Sequence, residues 1–256
     1  MARIGKVELT QNGGVATLSI LDEKKINTID TPTVETLLAM GESLRATSDL
    51  QLVILKGEGE KSFLGGVDIN EMSGFTPEKA RTFITKLHHL CRMFRTLPVP
   101  SIASIDGYCL GGGMEVAACC DLRIASDRST FGMPEVKLGM PSVIEAAVFP
   151  SLIGWGRTRE LLYTGRMVDA EEALHMGFVQ QVAPPTLMDT AIQPWVDDIL
   201  AAEPSAIRTQ KRLIEHWLDN GLASGIEESI DAFAATFHSD VPTKRLQEFL
   251  DNKKRR

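Results

Sequence analysis

The stretch from Ile105 to Glu115 reads Ile-Asp-Gly-Tyr-Cys-Leu-Gly-Gly-Gly-Met-Glu. A buried strand is predicted to end here and a helix to begin, with Gly111, Gly112 and Gly113 at the junction. Each helical glycine costs about 1 kcal/mol relative to alanine. Glycine also lets a ligand approach the backbone closely, and the first N–H groups of a helix have no partner within it. The junction is therefore a candidate binding site, although close packing of the helix on the strand would explain one glycine equally well.

A second stretch also places glycines where a strand is predicted to end. Lys61 to Met72 reads Lys-Ser-Phe-Leu-Gly-Gly-Val-Asp-Ile-Asn-Glu-Met, and Gly65 and Gly66 again lie where a strand is predicted to end. Two backbone N–H groups aimed at one point form an oxyanion hole. The two stretches together predict a site that stabilises negative charge on an acyl oxygen.

Two glutamates follow these glycines closely enough to be candidates for proton transfer. Glu115 lies in the first turn of the predicted helix among apolar neighbours, and Glu135 lies in a turn after a short strand. Burial raises a carboxyl pKa, whereas a helix N-terminus favours the anion. Two converging carboxylates could hold a water and move protons. Spacing alone does not show that they converge, and each could instead be an ordinary helix or surface charge.

Composition excludes several classes of protein. The 256 residues are 43% hydrophobic and 24% charged, as in an ordinary globular protein with one large domain, or one domain and a small appendage. The net charge of -7 argues against general nucleic-acid binding. The basic run Lys253–Arg256 is interpreted as a solvated tail. Four cysteines fit no zinc pattern, and we expect a cytoplasmic protein without a signal peptide or a membrane-spanning segment.

The order of predicted elements indicates an α/β body followed by helices. Lys6–Thr10 and Gly14–Leu21 are predicted to form a hairpin. The remaining predicted elements are the helix Thr31–Ala46 with Thr31 as its cap, the strand Gln51–Lys56, the helix Pro77–Leu97, the strands Pro98–Ile105, Asp121–Ala125 and Ser129–Phe131, and the later helices Arg157–Thr164, Asp169–Met176, Thr186–Ala202, Ser205–Asp219, Ile226–Phe237 and Val241–Asn252. We place a domain boundary after Trp195, which gives a core of residues 1–195 and a helical region of residues 196–256.

The chain resembles the crotonase superfamily, the enoyl-CoA hydratase/isomerase group, over nearly its whole length. The motifs that carry the resemblance are Ile26–Asp30, Phe63–Met72, Ile105–Glu115, Phe131–Glu135 and Ala170–Val179. The resemblance implies an α/β, ClpP-like spiral of ββα units with a C-terminal helical trimerisation region. It also implies a homotrimer or a dimer of trimers. From the acidic composition and the lack of a long apolar stretch, we expect neither a nucleic-acid nor a membrane partner.

The resemblance further implies a coenzyme A thioester substrate. No metal or redox cofactor is expected, because the glycine motif lacks the dinucleotide-binding pattern. Gly65 and Gly112 would form the oxyanion hole with their N–H groups. Glu115 and Glu135 would be catalytic and hold the water that is added across the C2–C3 double bond. The segment Gly65–Ile69 would line the adenine site, and Phe237 and Lys254 would contact coenzyme A. The implied substrate-binding residues are Leu64, Gly66, Val67, Asp68, Ile69, Gly111, Pro134, Glu145, Phe237 and Lys254.

The chain departs from the family pattern in two places. Gly65 replaces a common alanine, which keeps the N–H. Residues 140–147 read Met-Pro-Ser-Val-Ile-Glu-Ala-Ala, where typical hydratases have a glycine-rich stretch with an amide that helps to position the water. Glu145 could enter the pocket as a third acid–base group or specificity contact, or face solvent at a helix start. All five histidines are interpreted as packing or surface residues.

The leading functional prediction is an enoyl-CoA hydratase, a lyase that adds water in the syn sense to a trans-2-enoyl-CoA. An enoyl-CoA isomerase working mainly through Glu135 is the first alternative, and another acyl-CoA dehydratase is the second. A thioester-binding protein without turnover is a hypothesis from a different class, against which the presence of both glutamates argues.

Overall fold

The computed structural model describes residues 1–22 and 26–254, with the backbone alone for Lys254. It divides the chain into two compact units, Met1–Ala201 and Ala202–Arg256. The predicted boundary after Trp195 falls inside a helix that runs from Met188 to Ala201. That helix buries Ile192 and Val196 in an apolar cluster with strand residues of the first unit, so it belongs to the first unit as a whole.

The first unit contains eleven strands among its described residues. They are β1 (Ala2–Ile4), β2 (Val7–Asn12), β3 (Val15–Ile20), β4 (Leu52–Gly57), β5 (Ser62–Leu64), β6 (Ser101–Ile105), β7 (Tyr108–Leu110), β8 (Leu122–Ser126), β9 (Thr130–Gly132), β10 (Met167–Asp169) and β11 (Gln181–Ala183). Seven form one sheet in the order β1-β2-β3-β4-β6-β8-β11, and four form another in the order β10-β9-β7-β5. The predicted hairpin is β2–β3, which turns at Gly13 and Gly14, both with positive φ.

Most neighbouring strands in both sheets are parallel. In the large sheet, β3, β4, β6, β8 and β11 run parallel. In the small sheet, β5, β7 and β9 run parallel, and only β10 is antiparallel to its neighbour. Parallel strands require crossover connections, and helices supply several of them.

The described residues of the first unit form seven α-helices: α1 (Thr31–Arg45), α2 (Ile69–Met72), α3 (Pro77–Thr96), α4 (Gly112–Ala118), α5 (Phe149–Thr164), α6 (Ala170–Met176) and α7 (Met188–Ala201). The cap of α1 is Asp30 and not the predicted Thr31, because the Asp30 carboxylate accepts from the Thr33 N–H at 2.9 Å. Asp169 caps α6 and Gly177 ends it in the left-handed conformation. Pro194 lies within α7, which continues through it.

The main core lies between the sheets and the helices α1, α3 and α4. Its largest fully buried side chains include Phe63, Phe94, Phe131, Phe149 and Phe178. All four cysteines are buried free thiols. No helix within residues 1–22 and 26–254 is long and apolar enough to cross a membrane.

The second unit is helical. It consists of α8 (Pro204–Asp219), α9 (Leu222–Thr236) and α10 (Val241–Lys254). The α8–α9 pair is held partly by the Trp217 indole, which donates to the Gly225 carbonyl at 3.2 Å and to the Ser229 hydroxyl at 3.0 Å.

Candidate active site

Three parallel strands bring the candidate residues to one edge of the small sheet. Leu64 of β5 pairs with Cys109 of β7, and Leu110 of β7 pairs with Gly132 of β9. The Gly111 N–H extends this ladder by donating to the Gly132 carbonyl at 2.9 Å. Since the carboxyl ends of these strands lie at the same edge, the segments that follow them meet there. The topology thus shows that the segments after β5, β7 and β9 converge, which sequence spacing alone could not show.

Two of the three consecutive glycines are required by their surroundings. Gly111 has φ +51°, and a Cβ there would collide with Oε1 of Glu135. A Cβ at Gly113 would lie 2.5 Å from the Leu64 carbonyl oxygen. Gly112 has more room, since its Cβ would lie 3.1 Å from Cδ2 of Leu87. The glycines therefore let α4 approach both β5 and Glu135, so the close-packing explanation and the site explanation are both correct.

The geometry does not support the predicted oxyanion role of Gly65. Its N–H donates to the Ile26 carbonyl at 3.0 Å and is also 3.3 Å from the Asn27 carbonyl oxygen, so it is already engaged. Val67 is better placed. Its N–H meets no hydrogen-bond acceptor among the described residues, and its Cγ2 would lie 3.3 Å from a Cβ at Gly112. Gly112 opens α4, where an N–H has no helical partner.

Asn27 fixes the backbone on the other side of this segment. It is fully buried and has φ +47°, a conformation that asparagine tolerates better than most residues. Its amide donates to the carbonyls of Glu58 at 2.9 Å and Ser62 at 2.5 Å, and its Oδ1 accepts from the Asp22 N–H at 2.9 Å. Asn27 thereby ties the loop before α1 to both ends of the β4–β5 connection.

Glu115 lies inside the protein, with 4% of its surface exposed. Its Oε1 accepts from the Ala146 N–H at 3.0 Å. Burial raises the pKa of Glu115 to about 8, the negative charges of Glu135 and Glu145 act in the same direction, and the Ala146 hydrogen bond opposes them. Glu115 therefore carries a proton at neutral pH, as the apolar sequence around it indicates.

Glu135 reaches the same place from a short 3₁₀ turn, Pro134–Leu138. Its Oε2 accepts from the Ser142 hydroxyl at 2.9 Å, and its Oε1 faces the backbone at Gly111. Ser142 was not predictable from sequence, because no local pattern relates it to a carboxylate seven residues earlier. The hydroxyl holds Glu135 beside the glycine junction.

A third carboxylate joins the first two. Glu145 is 4% exposed, which excludes the interpretation that it faces solvent. Its Oε1 lies 2.7 Å from Nδ1 of His88 on α3. His88, which was expected to be a packing or surface residue, is partly exposed and pairs with this carboxylate. Ile144, the residue before Glu145, has φ +40°, a strained conformation for a β-branched residue.

The other predicted site residues have varied positions. Asp68 caps α2 by accepting from the N–H groups of Asn70 and Glu71, Leu64 is fully buried and Ile69 is 61% exposed. Phe237 lies in the second unit, just after α9, and is half exposed. The side chain of Lys254 lies outside the described residues. Within the described part of the chain, no group of three or more His, Cys, Asp and Glu side chains could hold a metal ion.

Comparison with known proteins identifies the family. The family model described as enoyl-CoA hydratase/isomerase matches residues 10–256. The short-chain-enoyl-CoA hydratase of Clostridium acetobutylicum is 31% identical over 253 residues, which are 98% of this chain and 97% of that protein. The crotonyl-CoA hydratase of Syntrophomonas wolfei is 31% identical over 94% of this chain and 93% of its own.

Solved structures indicate the same family. An enoyl-CoA hydratase from Bacillus anthracis superposes with a TM-score of 0.92 at 29% identity, covering 97% of each chain. The chain belongs to the enoyl-CoA hydratase/isomerase family, within the crotonase superfamily. The predicted α/β crotonase fold is confirmed.

Proposed function

We propose that this protein is an enoyl-CoA hydratase that adds water across the C2–C3 double bond of a trans-2-enoyl-CoA. The single observation that carries the proposal is the meeting of Glu115 and Glu135 at the glycine junction, where Glu135 faces Gly111 and influences the pKa of Glu115. Two relatives at 31% identity are named as hydratases of short-chain enoyl thioesters.

The N–H groups of Gly112 and Val67 form the oxyanion hole in this proposal, with Val67 in place of Gly65. The thioester oxygen accepts from both, and the negative charge of the enolate is stabilised there as it develops. Removing one such donor typically costs about 10²–10³ in rate. No metal or redox chemistry is required, because the acyl oxygen itself takes up the charge.

The two glutamates transfer the protons in the proposed hydration. A water held between them attacks C3 with its oxygen while the C2–C3 π electrons move towards the thioester. One proton leaves the water for the pair, and one proton passes from the pair to C2, so the enzyme ends as it began. The pair can supply a proton because Glu115 is protonated in the free enzyme at neutral pH.

The coenzyme A portion is assigned to the segment Gly65–Ile69, with Pro134 and Gly111 near the thioester. Ile69 offers an exposed apolar surface for an adenine ring. Phe237 and Lys254 remain proposed contacts of the coenzyme A moiety.

We also propose that the second unit mediates a homotrimer or a dimer of trimers. Helix α9 exposes the large apolar side chains of Ile226, Ile230 and Phe233, and the exposed Phe237 follows just after the helix. Exposed apolar patches of this kind mark association sites. Light scattering coupled to gel filtration tests the assembly. A monomer at micromolar concentration would contradict it.

The decisive test of activity is the loss of enoyl-thioester absorbance on mixing the protein with crotonyl-CoA and longer or branched enoyl-CoAs. We expect rapid loss that Glu135→Gln abolishes. Turnover of 3-enoyl-CoAs alone would favour the isomerase. Tight thioester binding without turnover of either class would favour the binding protein.

A further inference from the structure

We propose that Glu145, held by His88, is a specificity-determining residue that binds a hydroxyl group on the acyl chain beyond C3. This inference rests on the proposed hydration and narrows its substrate to hydroxylated enoyl thioesters. Three features support it: a buried carboxylate oxygen without a partner, a histidine that orients the other oxygen, and a position beside the reacting centre.

The first feature is Oε2 of Glu145. This atom is fully buried and has no hydrogen-bond partner within the part of the chain that the structure describes. Buried polar atoms are normally satisfied, and the exceptions call for an explanation. A carboxylate oxygen only accepts hydrogen bonds, so the group that satisfies Oε2 must be a donor.

The second feature is the contact with His88. Oε1 of Glu145 lies 2.7 Å from Nδ1 of His88, whose side chain is 42% exposed while that of Glu145 is 5% exposed. When Glu145 is ionised, Nδ1 must carry the proton and donate it to the carboxylate. This bond fixes the carboxylate plane and leaves Oε2 as the free acceptor.

The third feature is location. Ala146, the residue after Glu145, donates its N–H to Glu115 at 3.0 Å. Ile144, the residue before it, holds φ +40°, and such strain in a β-branched residue is typical of functional segments. The loop is therefore fastened to a catalytic carboxyl on one side and strained on the other, and it carries Glu145 to the site.

The chemistry of the ligand follows from these positions. The Gly112 and Val67 N–H groups take the thioester oxygen, and Glu115 and Glu135 face C2 and C3. A donor for Oε2 must then be carried further along the acyl chain. A carboxylate at that position would meet the like charges of Glu135 and Glu145, whereas a hydroxyl would donate to Oε2 at no electrostatic cost.

The test compares matched substrates that differ only by a hydroxyl in place of a methyl group. The pairs are 4-hydroxybut-2-enoyl-CoA against pent-2-enoyl-CoA, and 5-hydroxypent-2-enoyl-CoA against hex-2-enoyl-CoA. Both kcat/KM for hydration and Kd by calorimetry are measured. We expect the wild type to favour the hydroxylated member of at least one pair by about ten- to a hundredfold.

Variants separate recognition from folding. Glu145→Met, of similar volume, should bring the hydroxyl-to-methyl ratio to about one or below. Glu145→Gln, which keeps an acceptor, should give an intermediate ratio. His88→Gln should also lower the ratio, and His89→Gln, at the exposed neighbouring position, should leave it at the wild-type value. A general packing defect would lower both substrates of a pair together and would not move their ratio.

The outcomes distinguish the inference from the proposed function. Hydration of all four thioesters with ratios near one in both pairs would overturn the inference and leave the hydratase intact. If none is hydrated, the proposed function fails and the ratio of the Kd values decides the inference. A hydroxyl preference in binding that Glu145→Met removes would uphold it, and equal Kd values would overturn it.

Discussion

The backbone N–H of Ala146 donates to Oε1 of Glu115 across 3.0 Å, and this bond joins the loop 140–147 to a buried carboxyl of the site. The family pattern that the sequence resembles implies a glycine-rich loop and a backbone amide at this place. Here bulky residues take that position, yet an amide still reaches the glutamate. The loop therefore keeps an amide contact with the acid–base pair while its side chains, Glu145 above all, are free to define the acyl pocket.

Replacing either member of the acid–base pair should remove hydration and spare binding. Glu115→Gln and Glu135→Gln are each expected to lower kcat for crotonyl-CoA by about 10²–10⁴, because general acid–base catalysis contributes that much. Thioester Kd values should stay within a few-fold of the wild type. The matched control is Glu42→Gln, whose side chain is 75% exposed, and wild-type kinetics are expected for it. Unchanged turnover in Glu115→Gln would contradict the mechanism.

The raised pKa of Glu115 predicts how stability depends on pH. Between the ordinary carboxyl pKa near 4.5 and about 8, the folded protein holds a proton on Glu115 that the unfolded chain has released. Stability falls with rising pH wherever the folded state binds more protons. Glu115→Gln lacks this group. As pH rises across this range, the free energy of unfolding of the variant minus that of the wild type should therefore increase, by no more than a few kcal/mol.

Urea denaturation of both proteins at pH 5, 7 and 9 measures the effect. Taking the difference between them cancels the titration of other groups. The difference should widen from pH 5 to pH 9 in favour of the glutamine variant. A constant difference would show that Glu115 ionises in the folded protein as readily as in water.

The periodic elements and the glycine junctions were predictable from local sequence, whereas the partners across the fold were not. Helix α3 was predicted as Pro77–Leu97 and runs Pro77–Thr96, because proline, apolar spacing and a second proline mark it locally. The contact between Glu145 and His88 spans 57 residues, and no local rule relates them. Gly65 shows a third case. The motif keeps an N–H at Gly65, but that N–H donates to the Ile26 carbonyl. Only the folded path of the loop shows this contact.

Gly113 should not tolerate a methyl group. Its Cβ would lie 2.5 Å from the Leu64 carbonyl oxygen and 2.6 Å from the Leu64 Cβ, so α4 would have to move away from β5. Gly113→Ala is expected to destabilise the protein by about 1–3 kcal/mol, as overpacking does, and to lower kcat through the displaced Gly112 N–H.

Gly156→Ala is the matched control. It lies in α5, is exposed, and its Cβ would meet nothing within 4 Å. Alanine there should be neutral or stabilising by up to about 1 kcal/mol, because it is the better helix former. Chemical denaturation compares the two variants, and equal stabilities would refute the close contact between α4 and β5.

Arg123 holds the C-terminal end of α4, and no local sequence pattern predicts this role. The side chain is 3% exposed. Its Nη1 donates to the Cys120 carbonyl at 2.5 Å and to the Ala117 carbonyl at 3.3 Å, and its Nε donates to the Phe178 carbonyl at 2.6 Å. These bonds bring donors to the Cys120 carbonyl just after α4 and to the Phe178 carbonyl after α6. They add a donor to the Ala117 carbonyl, which already accepts from the Cys120 N–H at 3.2 Å.

Arg123→Met keeps most of the apolar stem and removes every donor. The Cys120 and Phe178 carbonyls would then lose this donor, at about 1–3 kcal/mol for each group left unsatisfied, so we expect a loss of about 2–5 kcal/mol in the free energy of unfolding. Arg81→Met, at an exposed position of α3, should change stability by less than about 0.5 kcal/mol. Because α4 carries Gly112 and Glu115 at its other end, the folded fraction of Arg123→Met should also show reduced kcat with crotonyl-CoA. Wild-type stability in Arg123→Met would mean that water replaces the guanidinium at these carbonyls without cost.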